Sequence, residues 1–497
     1  IPDIHAAYAA GLKAEQLTAA YLARIAAYDK QGPAINAVLT LNPRAMDEAR
    51  ARDAARKAGQ ARGLLFGIPV LLKDNIDIKD MPTAAGSQLL AGAVPSEDAV
   101  IVRRLREAGA IILGKANMGE FAGGGSVNGD APPDVRKAGA VPMGYSTLGG
   151  QTLNPHDLSL SPLGSSSGSA AAVAAVFAPL AIGTDTSGSI RAPAAANGVV
   201  GYRPTHGLVD GTGLIPLAPS LDAAGPITRH VADAALALSV LSNRATPALV
   251  RPSTLRGARI GILRDFIGQD AGADEGVMRA VTVLKNLGAV LIDPVTTDVH
   301  AALPGFVNAI IAAEFKASMD NYLYALGPSY PHSFAELVAK ANDPQSGYAS
   351  PAKAFGLKYI EETAGNPISE RFTGARYDEL VRLKRAIAAL FEANKLDAVL
   401  YPTLPRGIQP LKMPDMPNPP AKLDGRSALY LATLWGAPDI AFPGAVTDNN
   451  APVSVSLMAR PGADTALLGY AQQLEQAMGA LALPEPTPKL ASDVISY

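Results

Sequence analysis

The sequence predicts an α/β fold in which helices cover a sheet, built as one domain over residues 1–497. Three observations predict it. Short apolar segments alternate with amphipathic ones along most of the chain. The chain is 48% hydrophobic and 18% charged over 497 residues, an ordinary globular mix with enough length for a large core. No internal repeat and no long linker divides it.

Taken in order, residues 1–60 predict a helical arm. AEQLTAAYLARIAAYD (14–29) and PRAMDEARARDAARKAG (43–59) carry apolar residues at helical spacing with charge between them. Alternation then begins: GIPVLL (67–72) and AIILG (110–114) read as strands, with AVIVRRLREAG (99–109) a helix between them. An alanine-rich helix from 169 precedes the strand PLAIGTD (179–185), and HVADAALALSVLSN (230–243) is a further helix. ARIGIL (258–263) is a strand, and DEGVMRAVTVLKNLGAVLIDP (274–294) a helix followed by a strand. Residues 300–395 are helix-rich, broken by the loop NDPQSGYASP (342–351), and predict an excursion over the sheet. Residues 396–497 return to strands at DAVLYPT, PDIAFPG and VSVSLMAR, and TALLGYAQQLEQAMG (465–479) closes with a helix.

A net charge of −2 provides no field to draw in nucleic acid or an anionic membrane, so small or neutral partners are expected. The longest apolar run, AAAVAAVFAPLAI (170–182), contains Pro179 and falls short of the ~20 residues a bilayer needs. No membrane span is expected. The absence of cysteine excludes disulfides, thiolate metal sites and a cysteine nucleophile. Neither a histidine pair nor a carboxylate cluster has ligand spacing, so no metal and no other cofactor is expected. The chain opens on Ile1 rather than methionine, as a processed or trimmed chain would, which fits a cytoplasmic or an exported protein. Monomer and homodimer are equally compatible with the sequence.

Two serine- and glycine-rich runs, SPLGSSSGSAAAVAAVF (161–177) and GTDTSGSIR (183–191), hold the hydroxyl candidates. GSSSG (164–168) fits the GxSxG pattern of a nucleophile elbow centred on Ser166. An elbow needs a strand directly before it, and LSLSP ends in proline. It also needs a late histidine, and the histidines at 5, 156, 206, 230, 300 and 332 leave only His206 or His230 in an unusual order. A plain helix start, with serine and glycine as caps, fits the same run. The residues alone leave these readings open.

In order along the chain, GIPVLLKDNID (67–77), LGKANMGEF (113–121) and GSSSGSAAAVAAVFAPLAIGTDTSGSIRAPAAANGVVGYRPTHGLV (164–209) resemble the amidase signature family. GLIPLAPSLDAAGPITRHVADAALAL (213–238) and WGAPDIAFPGAV (435–446) continue the likeness. These are serine hydrolases that use lysine in place of histidine. The resemblance implies one large mixed, mostly parallel, twisted sheet with helices on both faces, a catalytic core over 61–250, and cleavage of a small-molecule or peptide amide. Carried across position by position, Ser189 falls on the nucleophile, Ser165 on a bridging serine that follows a cis peptide bond, and Lys73 on the base.

GGQTLNP (149–155) followed by SPLGSSSGS most resembles the peptide amidase branch, whose members remove the C-terminal amide of peptides. Ser187 and Ser167 stand where most members have glycine, and Gly119 where most have an acidic residue. The stretch around 123–146 is longer than usual and would border the substrate channel. Aryl or fatty acylamidases, carbamate or ester hydrolases, and a tRNA-dependent amidotransferase subunit that feeds ammonia to a partner are the alternatives within the family.

The chemistry makes definite demands. A serine hydroxyl needs a base to take its proton as the new bond forms. Lysine serves only when neutral, which near pH 7 requires a shift of roughly three units, about 4 kcal/mol, supplied by burial. Lys73 follows IPVLL, so the end of a buried strand is its expected place. Ser165 would pass the proton between Lys73 and Ser189 and return it to the departing amine. Thr186, Ser187 and Gly188 offer backbone amides for the oxyanion, and Ser187 can do so only at negative φ. Asp185 and Arg191 flank that loop with opposite charges and are expected to pair. Phe121 and Ala122 are candidates for the acyl pocket, and Gly149, Gly150 and Gln151 for contact with a peptide-like backbone.

Overall fold

The computed structural model describes residues 1–126, 133–242, 253–297, 303–363, 373–411, 427–446, 451–479 and 481–496. Part of the long stretch at 123–146, residues 127–132, therefore lies outside the described residues.

Among the described residues, thirteen strands run in chain order as β1 (Val38–Leu41), β2 (Pro69–Lys73), β3 (Ile111–Ala116), β4 (Tyr145–Ser146), β5 (Gly150–Gln151), β6 (Leu180–Asp185), β7 (Val200–Arg203), β8 (Ala223–Thr228), β9 (Arg259–Leu263), β10 (Val290–Val295), β11 (Ala398–Pro402), β12 (Asp439–Val446) and β13 (Pro452–Ala459). Eleven of them form one sheet in the order β1-β3-β2-β6-β8-β7-β12-β13-β11-β9-β10, and β4 and β5 make a separate hairpin. The sheet is mixed, as the resemblance implied. Its parallel pairs fall into two blocks, β3-β2-β6 and β11-β9-β10. Between the blocks, β8, β7, β12 and β13 pair antiparallel with their neighbours, and β1 pairs antiparallel with β3. The N-terminal arm thus supplies an edge strand as well as its two helices, Ala14–Tyr28 and Ala45–Lys57.

Helices cover both faces, and the period of two along each strand shows it. Val70 and Leu72 of β2 lie in one apolar cluster with the helices Val100–Glu107, Val231–Leu241, Ala271–Asn286 and Asp464–Met478. Leu71, between them, lies in another cluster with the helix Ser167–Ala174. On β11, Leu400 belongs to the first cluster while Val399 and Tyr401 pack with the helices Leu380–Ala393 and Ser427–Trp435. β2, β6 and β11 are therefore apolar on both faces until their C-terminal ends, where Lys73 closes β2 and Thr184 and Asp185 close β6, which is why they read as continuous hydrophobic runs.

The excursion packs as its own layer. Helices Leu303–Tyr324, Phe334–Asn342 and Pro351–Thr363 bring Phe315, Phe334 and Leu357 onto Met118, Phe121, Ile215 and Leu217, which follow the strands of the catalytic segment. Among the described residues no helix is long and apolar enough to cross a membrane.

Candidate active site

The site begins with the last residue of β2. In PVLLK the side chains alternate, so Lys73 points to the same face as Leu71, beneath the helix that starts at Ser167. Lys73 is wholly buried. Its Nζ lies 2.8 Å from Ser165 Oγ, 2.7 Å from Thr184 Oγ1 and 3.2 Å from Thr184 O. Burial lowers the amine to about 7, against the opposing pull of Asp185 and Asp222. A neutral amine has two N–H groups and one lone pair. Donating to the carbonyl and hydroxyl of Thr184 leaves the lone pair for the Ser165 hydroxyl. The protonated amine satisfies the same three oxygens as a donor, so the base changes charge without moving. Asn75 Nδ2 donates to Thr184 Oγ1 at 3.1 Å and holds that hydroxyl from the other side.

Ser165 and Ser189 come from separate loops and are 4% and 3% exposed. The Gly164–Ser165 peptide is cis. Gly119 N donates to Ser165 O at 2.9 Å, and Ser166 N donates to Ser189 O at 3.1 Å. Three segments, after β3, before the Ser167 helix and after β6, are thereby fastened around Lys73.

The loop after β6 is wound about Asp185. Its carboxylate accepts the amides of Gly188 at 2.9 Å and Ile190 at 3.1 Å, and Arg191 Nε at 3.0 Å. Arg203 adds a contact at 3.1 Å, and Arg191 reaches on to Asp439 at 2.6 Å, a carboxylate that also accepts from Tyr401. Asp185, Arg191, Arg203 and Asp439 are all buried. Burial alone would raise the Asp185 carboxyl, yet Arg191 and Arg203 hold it well below the usual carboxylate range. The pairing of Asp185 with Arg191 is thus part of a buried four-residue network.

Among the expected oxyanion donors, Ser187 is not at positive φ, whereas Gly188 has φ 106°. Gly188 differs from expectation, because its amide is already given to Asp185. The amides of Thr186, Ser187 and Ser189 have no acceptor among the described residues. Thr186 Oγ1 donates to Asp222.

Other candidates are not brought to Lys73. Ser166 is fully buried, and its hydroxyl is bound to Thr184 O at 3.2 Å and Thr184 N at 3.3 Å. His206 Nε2 is at 3.0 Å from Pro219 O and His230 stands beside Glu475, so neither histidine completes an elbow. Phe121 is 1% exposed and packs on Phe315, with ring centres 6.2 Å apart, and Ala122 joins the same apolar cluster. Packing under the excursion, absent from the local sequence, takes the ring. Gly149 N bonds Ser146 Oγ at 2.9 Å, Gly150 O accepts Asn117 Nδ2 at 3.2 Å, and Gln151 Nε2 donates to Met143 O at 2.8 Å. These three residues hold the β4–β5 hairpin and make no hydrogen bond to the candidate triad.

Sequence reasoning missed Thr184, Asn75, Asp222, Arg203 and Asp439. Only Asn75, two residues from Lys73 within KDNID, had a local signal; the others are brought in by strand order.

The Amidase family model matches residues 16–468. A glutamyl-tRNA(Gln) amidotransferase subunit from Salinispora arenicola is 34% identical over 97% of this chain and 99% of its own, and its counterpart from Thermobifida fusca is 36% identical over 93% and 92%. Among solved structures, native peptide amidase from Stenotrophomonas maltophilia matches at TM-score 0.83 and 36% identity, over 97% of each chain. The corresponding amidotransferase subunit from Thermotoga maritima matches at TM-score 0.70 and 26% identity, over 95% of this chain and 94% of that one.

Proposed function

The chain belongs to the amidase family and is an enzyme acting on amide carbon–nitrogen bonds, and from that premise we propose that it hydrolyses linear carboxamides through an acyl-enzyme on Ser189. The observation that carries the proposal is the Lys73 amine, wholly buried and 2.8 Å from Ser165 Oγ. Ser189 Oγ forms a bond to the carbonyl carbon while its proton passes to Ser165, whose own proton goes to Lys73. The oxyanion meets the unengaged amides of Thr186, Ser187 and Ser189, which stabilise it without reorganisation. Collapse breaks the carbon–nitrogen bond, and the leaving amine takes its proton from Ser165, resupplied by Lys73. Water then repeats the route, gives the carboxylic acid and frees Ser189.

Peptide C-terminal amides are the substrate class we favour. The likeness to peptide amidase, at 36% identity and TM-score 0.83, exceeds the 26% and 0.70 found for the solved amidotransferase subunit. A second reading, a component of an amidotransferase, is favoured by curated relatives that are 34% identical over 99% of their length.

One experiment separates the two. The purified chain alone is incubated with C-terminally amidated peptides and a panel of simple amides, with ammonia release followed and the Ser189 peptide weighed by mass spectrometry. Release with an acyl adduct on Ser189, absent in Ser189→Ala, supports hydrolysis. No turnover by the chain alone favours the amidotransferase reading.

A further inference from the structure

One part-buried turn joins the oxyanion loop to the helical excursion. Thr186 Oγ1 donates to Asp222 Oδ1, and Asp222 Oδ2 accepts the amides of Leu217 and Ala218 at 3.0 Å each. The turn is held from two sides. Arg203, which also binds Asp185, donates to Leu221 O at 2.7 Å. On the Leu303–Tyr324 helix, Glu314 accepts Ser220 N at 2.9 Å and Ser220 Oγ at 2.6 Å, and Arg376 stands 3.6 Å from its carboxylate. A path of hydrogen bonds therefore runs from Glu314 through the turn to Thr186.

We propose, on the reading that Lys73 is the base, that Asp222 is a positioning residue that holds the Thr186–Ser187 segment of the loop after β6 in place and acts through its charge on Lys73. Two carboxylates stand at the end of β6 that Lys73 reaches through Thr184: Asp185, which closes the strand, and Asp222, which precedes Ala223, the partner of Asp185 on β8; both bear on the amine. Asp185 is matched by Arg191 and Arg203, and Asp74, next to Lys73, is turned to Lys115 at 3.5 Å. Asp222 has no ion pair among the described residues, and it acts at longer range on Arg203 and His206. Its negative charge is the less compensated of the two. One carboxylate thus does two jobs, and an asparagine impairs both: it keeps an oxygen for Thr186, loses the charge, and sets an NH2 where the two amides were accepted.

The test follows the rate at which a fluorophosphonate labels Ser189 as pH is raised through neutrality, which needs no knowledge of the substrate. Asp222→Asn is expected to move the midpoint of the acid limb down by about half a unit or more, because losing an anion favours the neutral amine. Its plateau falls as well. Glu314→Gln, whose charge does not bear on Lys73, is expected to lower the plateau severalfold with the midpoint unmoved. Labelling of Asp222→Asn with the wild-type midpoint overturns the inference. If circular dichroism shows that Asp222→Asn does not fold, Glu314→Gln decides, and a wild-type plateau there overturns it. A wild-type chain that is not labelled at Ser189 overturns the underlying reading instead, a result distinct from a labelled wild type with an unmoved midpoint.

Discussion

The Nζ of Lys73 lies 2.8 Å from Ser165 Oγ, with neither side chain more than 4% exposed. Burial is what makes this pairing useful, because it lowers the amine to about 7. The neutral form is the base, so kcat/KM is expected to rise as pH climbs through about 7 and then level off. Lys73→Ala is expected to lose about 10²–10⁴ in rate, the usual share of a positioned base, together with the acid limb itself. A pH profile of both proteins on one amide checks this.

Ser189→Ala is expected to abolish labelling by a fluorophosphonate, and Ser166→Ala to keep it. The Ser166 hydroxyl is spent on both backbone groups of Thr184, so its loss takes the acceptor from a buried N–H, while the carbonyl keeps its bond from Lys73. The expected penalty is about 1–3 kcal/mol of stability, seen as a lower denaturant midpoint. Labelling retained in Ser189→Ala would point to another nucleophile.

The fold was legible where a strand is buried on both faces. Runs such as IPVLL and PLAIG cannot be mistaken for surface helix, and IPVLL ahead of Lys73 announced a buried amine. Short β1, β7 and β8 were not legible, because four to six residues of mixed character carry little periodicity. The surroundings of the site were hidden for a different reason. Thr184 meets Lys73 because β6 pairs with β2, and Asp439 meets Arg191 because β12 lies beside β7. Phe121 was read locally as a pocket residue, and only the distant Phe315 explains its burial.

Asp77, four residues beyond Lys73, accepts a hydrogen bond from Tyr322 at 2.9 Å and so ties the excursion to the catalytic segment. Burial pushes its carboxyl up to about 6, with the Tyr322 bond and Lys115 opposing. The folded state then holds this proton more tightly than the unfolded chain. The stability it contributes is fully present below the unfolded pKa and is lost as pH rises through about 6. The effect is about 3 kcal/mol in order of magnitude. Asp77→Asn keeps an oxygen for Tyr322 and does not titrate. Thermal unfolding curves are therefore expected to fall less steeply with rising pH for Asp77→Asn than for the wild type between those limits.

Asp439 opens β12 and reaches Arg191 at 2.6 Å across the sheet, so part of the nucleophile loop's anchorage comes from the far part of the chain. Removing that carboxylate leaves a buried guanidinium with Asp185 as its remaining anion, already shared with Arg203. Breaking one side of a buried pair typically costs about 3–5 kcal/mol. Asp439→Ala is expected to lower the unfolding temperature and to reduce kcat more than it changes KM, since Arg191 orders the loop that carries Ser189 and the oxyanion amides. Asp439→Asn keeps an acceptor for Arg191 and Tyr401 and is expected to recover part of both losses. Unfolding curves together with kcat and KM for the two variants decide the matter. Equal kcat in Asp439→Ala and the wild type would show that Asp185 alone sets the loop.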